Sequence, residues 1–248
     1  MIQKDRATQF QNLHTQATPL ILTNIWDAGS AKVIAEAGAS AIATGSWSVA
    51  AAFGYKDGEA LPFELALVNL ERIVAAVDLP VSIDLESGYS VKPEGIVQSV
   101  TAVLEAGAVG INLEDQRIGT DSLFEIAEQV ERIQAAREAA NRFGIDLYIN
   151  ARTDIYLKAD PGTHSEAHMT KAIERGHAYA RAVAIGFFVP GFLDVTTIGQ
   201  ICESVSLPVN ILRLGSTPST EQLAAAGVKR ISAGPGPYRT AMKTLLSG

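Results

Sequence analysis

The chain has 248 residues, 47% of them hydrophobic and 19% charged, enough apolar content to bury the full core of a single domain spanning 1–248. A net charge of −7, with Lys and Arg scattered rather than striped, excludes an electrostatic footprint for nucleic acid or an anionic membrane. The N-terminus is polar, no apolar run reaches the roughly 18 residues of a membrane span, and the one cysteine, Cys202, has no disulfide partner, so a cytoplasmic protein handling small metabolites is expected.

After an N-terminal helix, the hydrophobic period alternates between strand and helix along the whole chain. The pattern predicts strand Leu20–Asn24, helix Ala31–Ala37, strand Ser40–Thr44, helix Pro62–Val77, strand Val81–Asp84 and helix Pro93–Ala106. It continues with strand Gly110–Leu113, helix Leu123–Asn141, strand Leu147–Ala151, helix Lys171–Ala182 and strand Gly186–Val189. Helix Thr196–Ser204, strand Val209–Leu212, helix Ser219–Ala226, strand Arg230–Ser232 and helix Tyr238–Leu246 complete it. Three helices end in one small phrase, AEAGAS at Ala35, LEAGAV at Leu104 and AAAGVK at Ala224, where a glycine past the last turn can close the helix in the left-handed conformation. Eight strand and helix units in about 250 residues match an α/β protein of the closed (β/α)8, TIM-type class. An open doubly wound sheet would call for a glycine-rich turn after its first strand, and NIWDAGSA at Asn24 lacks that spacing.

Three strands turn abruptly polar where they end: VSIDLE at Val81, GINLED at Gly110 and LYINARTD at Leu147. In a barrel those ends share one rim, so Asp84, Glu86, Glu114 and Arg152 are expected to converge at the mouth where barrel enzymes do their chemistry. Oxygen-rich clusters suit a hard ion such as Mg2+, and an arginine suits a substrate carboxylate. Asn210, ending the seventh strand, can donate and accept towards the same pocket, and Trp26 and Trp47 can wall it or simply pack. His164 and His168 stand four apart, but the segment lacks the H-E-x-x-H pattern and reads as a loop entering a helix.

The segments NIWDAGSA, ATGSWS from Ala43, YKDGE from Tyr55, VSIDLESGY, GINLEDQ and NARTD from Asn150 together resemble the isocitrate lyase and phosphoenolpyruvate mutase superfamily, in its phosphoenolpyruvate phosphonomutase-like branch. The resemblance covers about the first two thirds of the chain. It implies a Mg2+-dependent barrel enzyme, with Mn2+ as the alternative ion, that binds a 2-oxo acid and works through an enolpyruvate-like intermediate. Position by position, it implies Asp84 as the direct metal ligand and Glu86 and Glu114 as holders of metal-bound water. It makes Asp57 the loop aspartate, Gly45 and Ser46 the turn whose N–H groups grip the oxo acid, and Arg152 the partner of the substrate carboxylate. A homodimer or homotetramer is implied as well.

The departures from that pattern are equally specific. The family most often has Asp-x-Asp where this chain has Asp84-x-Glu86. The carbon–carbon lyases carry a cysteine- and histidine-bearing loop whose cysteine is the catalytic acid or base; here the stretch reads QRIGTDSLFEIAEQ from Gln116. The sixth expected strand ends in Val189 and Pro190, where relatives often place a polar side chain. Carbon–carbon cleavage of a small 2-oxo or 2-hydroxy (di)carboxylic acid is the leading expectation. Phosphonomutase-like carbon–phosphorus chemistry and a non-catalytic oxo-acid-binding barrel are the alternatives. A Schiff-base aldolase is a further alternative, but no lysine ends an expected strand.

Overall fold

The computed structural model describes residues 2–191, 194–215 and 217–247. In chain order the elements are α1 (Gln3–Leu13), β1 (Leu20–Leu22), β2 (Asn24–Ile25), α2 (Ala28–Glu36), β3 (Ile42–Thr44), α3 (Ser46–Ala52) and α4 (Phe63–Ala76). Next come β4 (Val81–Asp84), α5 (Pro93–Glu105), β5 (Gly110–Glu114), α6 (Ile126–Phe143), β6 (Tyr148–Arg152), α7 (Ile155–Lys158), a 3-10 turn at Pro161–Thr163 and α8 (Glu166–Arg181). The last are β7 (Gly186–Phe188), α9 (Val195–Ser204), β8 (Val209–Leu212), α10 (Thr220–Ala225), β9 (Arg230–Ser232) and α11 (Gly236–Thr244).

All pairings are parallel, in the order β1-β9-β8-β7-β6-β5-β4-β3-β2, so the sheet curls into a nearly closed barrel with helices around it. The expected single strand Leu20–Asn24 is in fact split. Its first half, β1, pairs with β9, its second half, β2, pairs with β3, and Thr23 alone joins them. Two short helices, α3 and α7, interrupt the expected loops, and α6 starts three residues later than expected because Leu123 bridges back to Gln116 instead.

Local chemistry explains the element ends. Asp27 accepts a hydrogen bond from Ser30 N at 2.7 Å, and the Ser30 hydroxyl accepts one from Asp27 N at 3.1 Å. This reciprocal cap starts α2 and gives the acidic residue of NIWDAGSA a structural role. At the other end of the repeated phrase, Gly107 has φ +94°, as the helix-stop reading requires, and Gly38 and Gly227 behave alike.

Outward strand residues such as Ile83, Ile111, Leu113, Ile149, Phe187 and Ile231 are buried and form the layer between barrel and helices. The barrel interior is unlike the branched aliphatic filling common in this architecture. Register aligns Asp84, Asn112 and Asn150 across β4, β5 and β6, and their side chains bond to one another: Asn112 Nδ2 to Asp84 Oδ1 at 3.3 Å and Asn150 Nδ2 to Asn112 Oδ1 at 2.9 Å. Arg230, 1% exposed, donates from Nη2 to Asn112 Oδ1 at 3.4 Å and from Nε to Ser232 Oγ at 3.2 Å. The strand-start end is plugged by α1. His14 stacks on Tyr148 with ring centroids 3.9 Å apart, and Phe10 meets the same ring edge-on at 5.3 Å.

Candidate active site

A cavity of about 270 Å³ opens at the carboxyl ends of the strands. Its polar lining comes from Asp84 at the end of β4, Asn112 on β5, Arg152 at the end of β6, Gly45 and Ser46 after β3, and Asp57 from the following loop. A larger cavity, about 530 Å³, lies between α6, α7 and α8, where Lys158, Lys171 and Glu174 line it and no strand-end residue does. The smaller one, at the strand ends, is therefore the candidate active site.

Asp84 sits at the centre of the polar wall. Its Oδ2 accepts from Ser46 N at 3.3 Å and Ser46 Oγ at 3.1 Å, and lies 3.9 Å from Arg152 Nη1. Arg152 is held in a fork: Nε and Nη2 reach the two oxygens of Asp154 at 2.5 and 2.9 Å, while Nη1 reaches Glu114 at 2.9 Å. Burial opposes the guanidinium charge, yet Asp154, Glu114 and Asp84 outweigh it and raise the pKa well above the ordinary arginine value. Arg152 is permanently cationic.

Asp154 is anchored in turn. Its backbone N–H donates to Asp115 at 2.9 Å, and Asp115, fully buried, accepts from Arg175 at 3.0 Å and Tyr179 at 2.7 Å. Asp115 thus supports the site from behind, fixing the β6 end against α8.

Glu86 faces a different way. Its Oε2 accepts from Gly58 N at 2.8 Å and Glu59 N at 2.7 Å, and Glu59 Oε1 accepts from Tyr89 N at 2.8 Å. The loop carrying Asp57 is thereby latched onto the loop following β4. Glu59, Glu86 and Tyr89 all have positive φ, at 56°, 51° and 55°, a conformation that side-chain-bearing residues hold only when their surroundings enforce it. Arg132 braces the same loop by donating to the carbonyls of Ser87 and Ser90. Burial, then the neighbouring Asp57, pushes Glu86 up to about 8. Asp57 is raised by burial and by Asp84, and Glu114 is raised well above the carboxylate range by burial despite Arg152.

Among the described residues no three His, Cys, Asp or Glu side chains are grouped to ligate one ion directly; Glu86 is turned onto loop amides and Glu114 onto Arg152, which leaves Asp84 facing the pocket. Three expectations need correcting. Gly45 lines the pocket, but its N–H is taken by Ile25 O at 3.1 Å, which removes it as an oxo-acid donor. Trp26 lies outside the pocket, packed on the cluster of Val49, Ala50, Leu61 and Ala66 and edge-on to Tyr238 at 5.1 Å. Asn210 lies in the barrel interior, where Oδ1 accepts from Ser232 Oγ at 3.2 Å, and does not line the cavity. Conversely, Asn112, Phe188 and Leu212 line it without having been singled out. The signal for Asn112 was present: it alternates with Glu114 along β5 and so shares the inward face.

The donor set fits a divalent cation in one mode. Mg2+ characteristically keeps several waters and takes one or two carboxylates. Asp84 is the carboxylate presented to the pocket from a strand end. Around it stand Asp57, Glu86, Glu114 and Asp154, and the Asp57 and Glu86 carboxyls are raised by burial first and by neighbouring carboxylates second.

A parallel barrel with a carboxylate and an arginine at its strand-end mouth defines a class of small-molecule enzymes built for charged substrates. Comparison narrows the class: the chain belongs to the phosphoenolpyruvate phosphomutase family, whose sequence model matches residues 10–248. It is 31% identical over 229 residues to an uncharacterised protein of Mycobacterium tuberculosis, covering 92% of this chain and 83% of that one. It is 29% identical to 2-methylisocitrate lyase of Escherichia coli, covering 88% of this chain and 75% of that enzyme. A crystal structure provisionally assigned as a phosphonomutase of Burkholderia cenocepacia superposes with a TM-score of 0.96 at 48% identity, over 99% of this chain and 97% of that one. The fold alone is shared with phosphonopyruvate hydrolase in complex with oxalate and Mg2+, at 20% identity and a TM-score of 0.86, over 100% of this chain and 85% of that one. The family therefore includes lyases and mutases.

Proposed function

We propose that the protein is a Mg2+-dependent lyase that cleaves a carbon–carbon bond of a small 2-oxo or 2-hydroxy acid through an enolpyruvate-like intermediate. The observation that carries this reading is the pairing of Asp84 and Arg152 on one wall of the strand-end pocket, beside Ser46. Asp84 would hold the ion, which when bound supplies Lewis-acid stabilisation of charge developing on a substrate oxygen. Arg152, fixed by Asp154 and Glu114, orients the substrate carboxylate. The Ser46 hydroxyl and N–H both donate to Asp84 Oδ2, so Ser46 steadies the carboxylate that would carry the ion. Asp57, whose raised pKa favours the protonated form more than an ordinary aspartate's, is the pocket side chain placed to pass a proton. The latch of Glu86 on the Gly58 and Glu59 amides keeps Asp57 at the pocket.

The absence of a cysteine in the stretch after Gln116 argues against 2-methylisocitrate as the substrate in spite of the E. coli relative. The test is release of pyruvate or a related oxo acid from a panel of 2-oxo and 2-hydroxy acids, with Mg2+ and after chelation. Turnover that disappears on chelation and returns with Mg2+ supports the reading; oxalate binding without any turnover would make the barrel a binding protein. The 48% identity to the B. cenocepacia structure favours carbon–phosphorus chemistry as the second reading, and following phosphonopyruvate by phosphorus NMR distinguishes it.

A further inference from the structure

The pocket has two unlike walls. Strands β3 to β6 contribute the polar one, with Ser46, Asp84, Asn112 and Arg152; from β7 onwards the wall is largely apolar. Phe188 ends β7, Leu212 ends β8, Pro190 and Pro235 follow β7 and β9, and Leu157 of α7 and Trp47 of α3 complete the apolar arc. The strand order places Phe188 next to Arg152, whose guanidinium lies 5.7 Å from the Phe188 ring, and Leu212 one strand further on, so the apolar arc starts beside the cation and continues away from it.

The polar groups that line the apolar side are already committed, and the unpartnered Asn210 Nδ2 and Arg230 Nη1 lie deeper in the barrel, outside the cavity lining. Ser232 Oγ donates to Asn210 and accepts from Arg230, Gly234 N donates to Asn24 Oδ1 at 2.7 Å, and Asn24 Nδ2 donates to Thr44 O at 2.8 Å. Among the described residues that line the pocket, Arg152 is the one cation, and its fork is shared with Asp154 and Glu114. Arg239 lies over the Trp47 ring at 4.5 Å and Arg230 is buried beneath Asn112; neither lines the cavity. A second anionic group on the substrate would enter this arc without a partner, a costly burial. An aliphatic or aryl group would instead displace water from Phe188 and Leu212.

Resting on the proposed function, we infer that the fragment joined to the oxo-acid unit is apolar: the protein takes 4-hydroxy-2-oxo acids whose C4 carries a branched aliphatic or aryl group, not a second carboxylate or a phosphonate, and as the C3–C4 bond breaks its electron pair stays on the enolpyruvate while the C4 hydroxyl gives up its proton and the distal fragment leaves as an aldehyde. Phe188 and Leu212 are the specificity-determining residues.

Two non-cleavable oxamates of equal shape test this, N-isobutyloxamate and N-oxalylglycine, which differ only in isopropyl against carboxylate. Each is titrated calorimetrically into the intact protein with saturating Mg2+, alongside oxalate. The expected result is that oxalate binds and the isobutyl compound binds about tenfold or more tighter than N-oxalylglycine. In Leu212→Arg the preference should fall by about tenfold or reverse, and Leu212→Asn should narrow it in a milder background, with oxalate binding reporting an intact fold in both. Oxalate binding together with equal or tighter binding of N-oxalylglycine overturns the inference alone. Failure of oxalate to bind at all overturns the proposed function, and the inference with it.

Discussion

Arg152 links the site to the fold, since one guanidinium serves Asp154, Glu114 and the pocket at once. Replacing it with alanine would leave two carboxylates uncompensated whose side chains are only 5% and 1% exposed. Arg152→Ala is expected to lose about 3–5 kcal/mol of stability in urea unfolding, and Arg152→Lys, which keeps the charge but not the fork, should recover part of it. His14 makes a second, independent prediction far from the chemistry. Burial, then the charge of Arg230, lowers its pKa from 6.5 to about 3. The unfolded chain therefore binds a proton that the folded one refuses: the contribution is complete above pH 6.5 and is lost as pH falls towards 3. Stability should drop by about 3 kcal/mol between neutrality and pH 4 on this account, and His14→Phe should flatten that slope in thermal or urea titrations. Asp84 and Arg152 were readable from sequence because an abrupt apolar-to-charged switch marks a strand end. The commitment of the Gly45 N–H to Ile25 was not, since it depends on which carbonyl the adjacent strand places beside it.

Among the elements, the two latched loops are the part that sequence described least. Asp-Gly at Asp57 signals a turn, but nothing local says that Glu86 will cap that turn's amides from 28 residues away. The motif Asp84-x-Glu86 set both acids beside one ion, Asp84 as ligand and Glu86 on its water; sequence did not show that the backbone at Glu86 is left-handed and its carboxylate is bonded to the loop amides. Glu86→Ala should speed amide exchange at Gly58 and Glu59 by about tenfold or more, in keeping with the ~1–3 kcal/mol cost of leaving such donors unmet. Unchanged protection at both amides would show that the latch is incidental. The helix stops were readable because a left-handed glycine is a local requirement. The break at Thr23 was not, because the two halves of that strand separate only when neighbours from opposite ends of the chain claim them.

At the scale of the whole molecule, the barrel followed from rhythm alone, as eight alternating units leave few parallel arrangements. Its polar filling did not, because inward amides and outward aliphatics alternate too evenly to reveal which face is enclosed. Ligand binding should be felt by the entire fold. Mg2+ at a hundred times its dissociation constant should add about 2.7 kcal/mol to unfolding, and in Asp84→Asn that increment should vanish while the metal-free fold persists; an increment that survives the substitution would move the ion elsewhere.

The split first strand has a consequence for how the protein is made. Leu20–Leu22 leaves the ribosome some 210 residues ahead of its partner, Arg230–Ser232. Until then the nascent chain carries an unpaired strand edge that other polypeptides can join. Ring closure therefore waits for Arg230–Ser232 to be made, and a chain truncated ahead of Arg230 leaves an open sheet edge that invites aggregation.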